Sequence, residues 1–385
     1  MIANKISEPI YITRPLLPDL GVISNSLHEI WESKRVTNNG AKERLLEQEL
    51  KDYLGVEHLS LFNNGTLALL LGFRALGLKG EVITTPFTFP ATVQALDWNG
   101  LTPVFCDVEP ETMTIDATKI ERLITEKTSA ILGVHVFGNP CNVNKIQEIA
   151  DKYQLKVIYD GAHAFGMKLD DKPISDYGDM TMFSFHATKL FNTIEGGALI
   201  FKDHRVASKL AMLKNFGLDG PENVILSGLN AKMNEVQAAI GLEVLKLVKE
   251  ERGKRHAIKE SYEQYLASIA GIRILTSSEK DNSSYQYFVI EINEEKYGRS
   301  RDWLHDELNK NNIFARKYFY PLCSDFSWYK SLESVLPDNL TQANVAVKRT
   351  LALPYYGELG LDLVQMICEI IKKGYKKTKQ TSDML

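Results

Sequence analysis

The stretch AILGVHVFGNPCNVNKIQEIADKYQLKVIYD, residues 130–160, contains two apolar runs separated by a segment with helical spacing. The first run covers residues 130–138, and the second, LKVIYD, covers residues 155–160. Between them, apolar side chains recur every three or four residues, as on the buried face of a helix: Val143, Ile146, Ile149, Ala150 and Tyr153. A strand, a helix and a second strand in this order predict two parallel strands of one sheet.

Short β-branched runs continue this pattern from about residue 45 to residue 205. The further strand candidates are EVITT (81–85), TPVFCDV (102–108), TMFSF (181–185) and ALIF (198–201). We therefore predict an α/β fold with a mostly parallel sheet. Ligand sites of such sheets lie at the carboxyl ends of the strands, so the residues that follow these runs are the candidates for a site.

The pattern changes after a long helical stretch at residues 233–269. Beyond it, SSYQYFVIEI (283–292) and IFARKYFY (313–320) are strand candidates, and RDWLHDELNK (301–310) is a helix candidate. We predict a large domain at residues 1–250 and a smaller α+β domain at residues 251–385. The length of the chain permits two such units.

Composition excludes several classes of protein. The chain has 45 basic and 49 acidic residues and a formal net charge of -4, without the basic excess of nucleic-acid binders. No apolar run approaches the ~20 residues of a membrane span. The four cysteines are far apart in sequence and predict neither a disulfide framework nor a metal site: Cys106, Cys141, Cys323 and Cys368. We expect a cytoplasmic protein that binds no metal, no nucleic acid and no membrane.

The stretch FNNGTLALLLGFRAL, residues 62–76, is the first candidate site. Asn63, Asn64 and Gly65 can adopt the tight backbone conformations in which amide groups converge, and Thr66 follows at the start of an apolar helix. The N-terminus of a helix attracts anions such as phosphate. An ordinary capped helix has the same sequence features, so both interpretations stay open.

The stretch YDGAHAFG, residues 159–166, is the second candidate site. Asp160 ends an apolar strand, where a carboxylate can keep a ring nitrogen protonated by pairing with it. His163 could stack on the same ring or donate a hydrogen bond to it. The alternatives are a cap or loop role for Asp160 and a core position for His163.

The stretch SFHATKLFNTIEGG, residues 184–197, is the third candidate site. Ser184 offers a hydroxyl to a phosphate, and Lys189 follows in a segment with few charges. A buried lysine is either a charge partner or a nucleophile that forms a Schiff base. A phosphate cradle, a carboxylate for a pyridine nitrogen and a lysine for an aldehyde are together the three anchors of pyridoxal 5'-phosphate (PLP).

Six motifs, in their order and separations, resemble the DegT/StrS family of nucleotide-sugar aminotransferases over nearly the full chain: NNGTLAL, TTPFTFPAT, HVFGNPCN, YDGAHAFG, SFHATKLFNTIEGG and LNAKMNEVQAAIG. The resemblance implies the aspartate-aminotransferase fold, which is PLP fold type I. It implies that Lys189 is the Schiff-base and proton-transfer lysine, and that Asp160 is the partner of the pyridine nitrogen.

The same resemblance implies further roles. It places His163 and Phe89 beside the cofactor ring, and Gly65, Thr66 and Ser184 at its phosphate. Asn230 matches an asparagine that reaches the cofactor phosphate of a neighbouring subunit, which implies a homodimer with shared active sites. Arg316 and Tyr320 are candidate contacts to the nucleotide sugar, with a structural role in the domain interface as the alternative.

The reaction implied by this resemblance is transfer of an amino group from L-glutamate to a nucleotide-linked keto sugar. The motifs are most similar to members that aminate C4 of dTDP-4-keto-6-deoxyglucose for surface polysaccharides such as O-antigen. Members that act at C3 are the alternative. Lys189 argues against the sugar dehydratases of this fold, in which histidine replaces the lysine, and the intact set of Lys189, Asp160 and Ser184 argues against a regulator without turnover.

Two segments depart from the family pattern. The segment ARKYFYPLC (315–323) has Cys323 where many relatives have histidine, and LALPYYGEL (351–359) has Tyr355 and Tyr356 where histidine or methionine is frequent. We expect both segments to border the sugar pocket.

Overall fold

The computed structural model describes residues 6–276 and 283–376. Within them the chain forms the following strands: β1 Ile10–Tyr11, β2 Leu59–Phe62, β3 Glu81–Thr84, β4 Thr102–Phe105, β5 Thr128–Val134, β6 Lys156–Asp160, β7 Lys168–Leu169, β8 Lys172–Pro173, β9 Met180–Ser184, β10 Gly197–Phe201, β11 Ile272–Ile274, β12 Phe288–Ile292, β13 Ile313–Phe314 and β14 Thr350–Leu353. The helices are α1 Leu20–Ser33, α2 Ala41–Leu54, α3 Gly65–Leu76, α4 Pro90–Asp97, α5 Ala117–Ile120, α6 Val143–Tyr153, α7 Arg205–Leu213, α8 Glu235–Leu266, α9 Glu294–Tyr297, α10 Arg301–Lys310, α11 Thr341–Arg349 and α12 Leu361–Gly374.

A seven-stranded sheet forms the centre of the fold, in the order β2-β10-β9-β6-β5-β3-β4. β5, α6 and β6 are the predicted strand, helix and strand, and β5 pairs with β6 in parallel. The strands are almost entirely buried, because helices cover a parallel sheet on both faces. The predicted α/β class with a mostly parallel sheet is therefore confirmed.

One strand of this sheet runs against the others. β10 pairs antiparallel with both β2 and β9, whereas β9, β6, β5, β3 and β4 pair in parallel. β9 and β10 are joined by residues 185–196, and this connection contains Lys189. The reversal brings Gly197 opposite Ser184, so the two ends of the connection lie side by side.

A second, three-stranded antiparallel sheet follows in the C-terminal part, in the order β11-β12-β14. The helix α8 leads from the region of the central sheet towards it, and the boundary predicted at residue 250 falls inside this helix. β1, near the start of the described chain, pairs in parallel with β13. The division of the chain into two domains at residue 250 stays a prediction.

The strand predicted at residues 313–320 is much shorter than expected. Regular pairing covers Ile313–Phe314 only, followed by an isolated bridge between Arg316 and Ala352. The chain then turns, with the Tyr318 N–H donating to the Arg316 carbonyl at 3.1 Å. The aromatic rings of Tyr318 and Phe319 are buried, so packing of these rings ends the strand.

Buried polar contacts fix the helices that surround the site. Asn234 and Gln237 form a capping box at the N-terminus of α8. The buried carboxylate of Glu235 accepts the N–H groups of Lys42 and Glu43 at 3.0 and 2.8 Å, which satisfies two unpaired donors in the first turn of α2. In the described part of the chain, no helix is both long and apolar enough to span a membrane.

We predict that Gly197→Ala destabilises the protein, because a Cβ atom at this position would lie 2.6 Å from the Gly65 nitrogen and 2.8 Å from the Asn64 carbonyl carbon. Both atoms belong to the backbone and cannot move aside, so we expect a loss of about 1–3 kcal/mol in the free energy of unfolding, typical of overpacking. Denaturant unfolding measures it.

The matched control for this substitution is Gly253→Ala in α8, where a Cβ atom would meet no atom within 4 Å. Alanine favours a helix over glycine by up to about 1 kcal/mol, so this variant should be equal to or more stable than the native protein. Equal stability of the two variants would contradict the close approach at Gly197.

Candidate active site

A cavity of about 570 Å³ lies at the carboxyl ends of the central strands. Eight of the ten predicted site residues line it: Gly65, Thr66, Phe89, Asp160, His163, Ser184, Lys189 and Arg316. They come from segments that are distant in sequence. The parallel strands end at one edge of the sheet and bring these segments together.

The backbone on both sides of Lys189 is held in place by hydrogen bonds to one side chain, Gln286. The side-chain amide of Gln286 donates to the Thr188 carbonyl at 2.9 Å and accepts the Leu190 N–H at 2.8 Å. One buried side chain from the segment before β12 therefore binds the peptide groups on both sides of Lys189. This double hydrogen bond fixes the direction in which the lysine enters the cavity.

The Lys189 amine lies in a site that disfavours its charged form. Burial lowers the pKa of Lys189, the nearby Arg316 guanidinium adds to this effect, and Tyr318 and Asp160 oppose it. The amine also lies 5.6 Å from the centre of the Tyr287 ring. A lowered pKa makes the neutral amine, which is the nucleophilic form, more abundant at a given pH.

Asp160 accepts a hydrogen bond at each carboxylate oxygen. Oδ1 accepts the Ala162 N–H at 3.0 Å, and Oδ2 accepts the Thr92 hydroxyl at 2.7 Å. Since an ionised carboxylate only accepts, the Thr92 hydroxyl donates to Asp160 and must accept from the Thr88 hydroxyl, 2.8 Å away. The two threonines form a chain of hydrogen bonds that ends on the carboxylate.

The charge of Asp160 is set by opposing effects. Burial raises the pKa of Asp160, whereas the Ala162 N–H, the Thr92 hydroxyl and the positive charge of Lys189 lower it. A further cationic partner in the cavity would stabilise the carboxylate in the same way.

His163 presents a neutral imidazole. Its Nδ1 accepts the Phe137 N–H at 3.2 Å, and burial, followed by the charge of Lys189, lowers the pKa of His163 well below its usual value. The ring is parallel to the rings of Phe137 and Phe319, with centroids 6.2 and 5.9 Å away. His163 thus lies among aromatic rings and at the cavity wall, which suits a planar ligand.

The start of α3 forms another part of the cavity wall. Asn64 caps this helix, since its Oδ1 accepts the Leu67 N–H at 2.8 Å. The first-turn N–H groups of Gly65 and Thr66 have no partner within a helix and lie at its positive end. The capped helix and the anion site, which the sequence left as alternatives, are therefore compatible.

Some residues named from the sequence lie elsewhere. Asn230 and Tyr320 are exposed and do not line the cavity, so their roles stay predictions. Cys323 is buried, with its thiol 3.3 Å from the Thr88 carbonyl. Tyr355 and Tyr356 are buried, and neither lines the cavity. Of the two segments expected to border the sugar pocket, residues 315–323 supply Arg316, Tyr318 and Phe319 to the cavity wall, whereas no residue of 351–359 lines the cavity.

Several cavity residues were not identified from the sequence: Thr88, His186, Glu195, Tyr287, Tyr318 and Phe319. Thr88 and the neighbouring Thr92 lie in TTPFTFPAT, where their four-residue separation across the start of α4 was the only available signal. Tyr287 and Tyr318 carry no local pattern that indicates a site. Among the described residues, no group of three or more histidines, cysteines and acidic residues could hold a metal ion.

Comparison with known proteins agrees with this geometry. Residues 21–372 match the model of the DegT/DnrJ/EryC1/StrS aminotransferase family. The chain is 44% identical over 368 residues to a dTDP-4-amino-4,6-dideoxy-D-glucose transaminase of Shigella dysenteriae, covering 96% of this chain and 100% of the relative.

Solved structures have the same fold. The crystal structure of DesI in the presence of its TDP-sugar product superposes with a TM-score of 0.90 at 33% identity, covering 96% of this chain and 93% of DesI. NtdA from Bacillus subtilis, solved with bound cofactor PMP, gives a TM-score of 0.84 at 28% identity, covering 92% of this chain and 81% of NtdA. The chain belongs to the DegT/DnrJ/EryC1/StrS aminotransferase family.

Proposed function

We propose that this enzyme transfers the amino group of L-glutamate to C4 of dTDP-4-keto-6-deoxyglucose and forms dTDP-4-amino-4,6-dideoxyglucose. The observation that carries the proposal is the meeting of Lys189 and Asp160 in one cavity whose lining includes the N-terminus of α3. The identity of 44% to the Shigella dysenteriae transaminase supports the choice of the C4 sugar.

The enzyme is a sugar aminotransferase, and the cofactor of its family is PLP. The cavity fits this cofactor in three respects. It contains a buried amine for the aldehyde, a carboxylate for the pyridine nitrogen and the N-terminus of α3 for the phosphate. We propose that Gly65, Thr66 and Ser184 hold the phosphate, and that His163 and Phe89 contact the ring.

PLP supplies a ring that withdraws electrons from the carbon whose amino group is exchanged. The protein supplies the proton transfers and the orientation. We propose that the Nζ atom of Lys189 would carry a proton from the amino-bearing carbon of glutamate to C4' of the cofactor, and in the second half-reaction from C4' to C4 of the sugar, which the lowered pKa of this amine favours. The Asp160 carboxylate keeps its negative charge beside the pyridine nitrogen and so favours the protonated ring.

The active site is proposed to be shared within a homodimer. Asn230 does not line the cavity of its own subunit, which is compatible with a contact to the cofactor phosphate in the neighbouring subunit. Exposed apolar side chains precede it in the sequence, as expected for a segment that a second subunit covers: Phe216, Val224, Ile225 and Leu229.

We propose a cytoplasmic location and a role in the biosynthesis of a surface polysaccharide such as O-antigen. Four buried free thiols suit a reducing compartment: Cys106, Cys141, Cys323 and Cys368. Cell fractionation would test the location, and an oxidising compartment would contradict it. Loss of the amino sugar from surface glycans on deletion of the gene would support the role, and an unchanged glycan would refute it.

The first test is an absorbance titration of the purified protein with PLP. We expect a visible band from the cofactor bound to Lys189, its loss on addition of L-glutamate and its return on addition of dTDP-4-keto-6-deoxyglucose. Lys189→Ala is the control and should show neither the band nor turnover. Return of the band only with a 3-keto sugar would refute C4 and support C3, and activity of Lys189→Ala would refute the role of the lysine.

The second test concerns the threonine that binds Asp160. Thr92→Val keeps the shape of the buried side chain but removes its donor to Oδ2, so the pKa of Asp160 rises further. A hydrogen bond to a charged group contributes about 1.5–3 kcal/mol, which predicts PLP binding weaker by about 10- to 100-fold. PLP titration of the apoprotein measures it.

The sign of the pH effect follows from the same hydrogen bond. With a higher pKa, Asp160 becomes protonated at a higher pH as the solution is acidified, so the acid limb of PLP binding should move to higher pH. Thr92→Ser retains the hydroxyl and should behave as the native protein. Native affinity and an unchanged pH profile in Thr92→Val would contradict the role of the hydrogen bond.

The third test asks which subunit uses Asn230. Lys189→Ala and Asn230→Ala homodimers are prepared separately. The Lys189→Ala homodimer should be inactive, and the Asn230→Ala homodimer should bind PLP about tenfold more weakly, as after loss of one phosphate contact. In mixed dimers, the site with Lys189 would receive an intact Asn230 from the other subunit. Activity should therefore return in mixed dimers. Its absence, or an active monomer in sedimentation, would refute shared sites.

A further inference from the structure

Two exposed aromatic side chains form a stacked pair on the β1–β13 ladder. Tyr11 and Phe314 are register partners in this parallel pairing, and their ring centroids are 5.2 Å apart with an angle of 25° between the planes. The residues are 57% and 37% exposed. A stacked pair with an accessible ring surface can receive a further planar group.

The chain leads from this pair directly to the active-site cavity. Burial alternates from Ile313 to Arg316, so Phe314 and Arg316 are both exposed and follow one another on the same face at a separation of roughly 6.6 Å. Arg316 lines the cavity, and its charge acts on Lys189 there. From the surface into the cavity, the order is therefore the exposed ring of Phe314, the guanidinium of Arg316 and the amine of Lys189.

Arg316 has the properties of an anion-binding residue. Within residues 6–276 and 283–376, no carboxylate forms an ion pair with it. Its guanidinium lies over the Tyr318 ring, 4.7 Å from the ring centre, which fixes the head of the side chain at the cavity wall. A guanidinium without a protein carboxylate suits the oxygens of a phosphate group.

We propose that Tyr11 and Phe314 are the platform on which the nucleobase of the sugar substrate stacks, with Arg316 bound to the diphosphate. This inference rests on the proposed function, which requires a base, a diphosphate and a keto sugar in one linear molecule. The order of these three parts matches the order of the aromatic pair, Arg316 and Lys189. Stacking on aromatic side chains binds any base through its flat face.

The proposed platform should contact only one of the two substrates, the nucleotide sugar. L-Glutamate has no base and no diphosphate, so it has no use for Tyr11 or Phe314. A defect on the platform should therefore weaken the binding of the nucleotide sugar and leave the reaction with glutamate unchanged.

The experiment measures the binding of dTDP alone to the PLP-loaded enzyme by calorimetry. Tyr11→Ala and Phe314→Ala should raise the dissociation constant of dTDP by about 5- to 100-fold, as on removal of a stacking partner. Tyr11→Phe keeps the ring and should bind dTDP as the native protein does. Tyr265→Ala is the matched control, an aromatic residue of α8 that is 38% exposed and does not line the cavity.

A second measurement separates the base from the diphosphate. Inorganic pyrophosphate, which has no base, should compete with the nucleotide sugar equally well in the native protein and in Phe314→Ala. Loss of pyrophosphate competition in Arg316→Ala would support the place assigned to the diphosphate, and unchanged competition would overturn it.

The outcomes distinguish this inference from the proposed function. If glutamate removes the cofactor band in Tyr11→Ala and Phe314→Ala as in the native enzyme, and only dTDP binding falls in these two variants, the platform is supported. Native dTDP affinity in both alanine variants, or no dTDP binding by the native enzyme, would overturn it. Dissociation of the dimer by these substitutions with unchanged dTDP binding would assign the pair to a subunit contact instead. Failure of glutamate to change the native spectrum would refute the proposed function itself.

Discussion

The site depends on the burial of an amine and a carboxylate in the same cavity. Removal from water lowers the pKa of Lys189 and raises the pKa of Asp160, so each group is pushed towards its neutral form. Their mutual attraction and the donors on Asp160 oppose this tendency. A change in these hydrogen bonds therefore shifts the equilibrium between the charged and neutral forms of the two groups. The surrounding structure therefore consists largely of parts that hold these two side chains still.

The fold supplies that rigidity through the edge of one sheet. Asp160 and Ser184 end neighbouring parallel strands, and the reversed strand β10 returns the chain so that Gly197 lies opposite Ser184. The absence of a side chain at Gly197 lets the backbone of Asn64 and Gly65 approach. The cradle at the start of α3 and the connection that contains Lys189 are consequently parts of a single packed layer.

Sequence reasoning found the groups that follow strands and begin helices, because these positions carry local patterns. Asp160, Ser184 and Gly65 are examples, and all of them line the cavity. It did not find Gln286 or Tyr287, whose contacts with the Lys189 segment span about 100 residues of sequence and depend on how the C-terminal sheet docks. The antiparallel direction of β10 could not be predicted from the sequence either, since the residues of a strand do not specify whether it runs parallel or antiparallel to its neighbours. The short β13 was overestimated because the aromatic residues after it favour a strand yet turn inward to pack.

The double hydrogen bond of Gln286 has a consequence for sequence variation. A single group donates to the Thr188 carbonyl and accepts the Leu190 N–H, and it does so at the end of a side chain of one particular length. Glutamate at this position would offer only acceptors, lysine only donors, and asparagine would fall one methylene short. Each of these replacements would lose at least one of the two hydrogen bonds and so loosen the segment that carries Lys189, although Gln286 itself does not line the cavity.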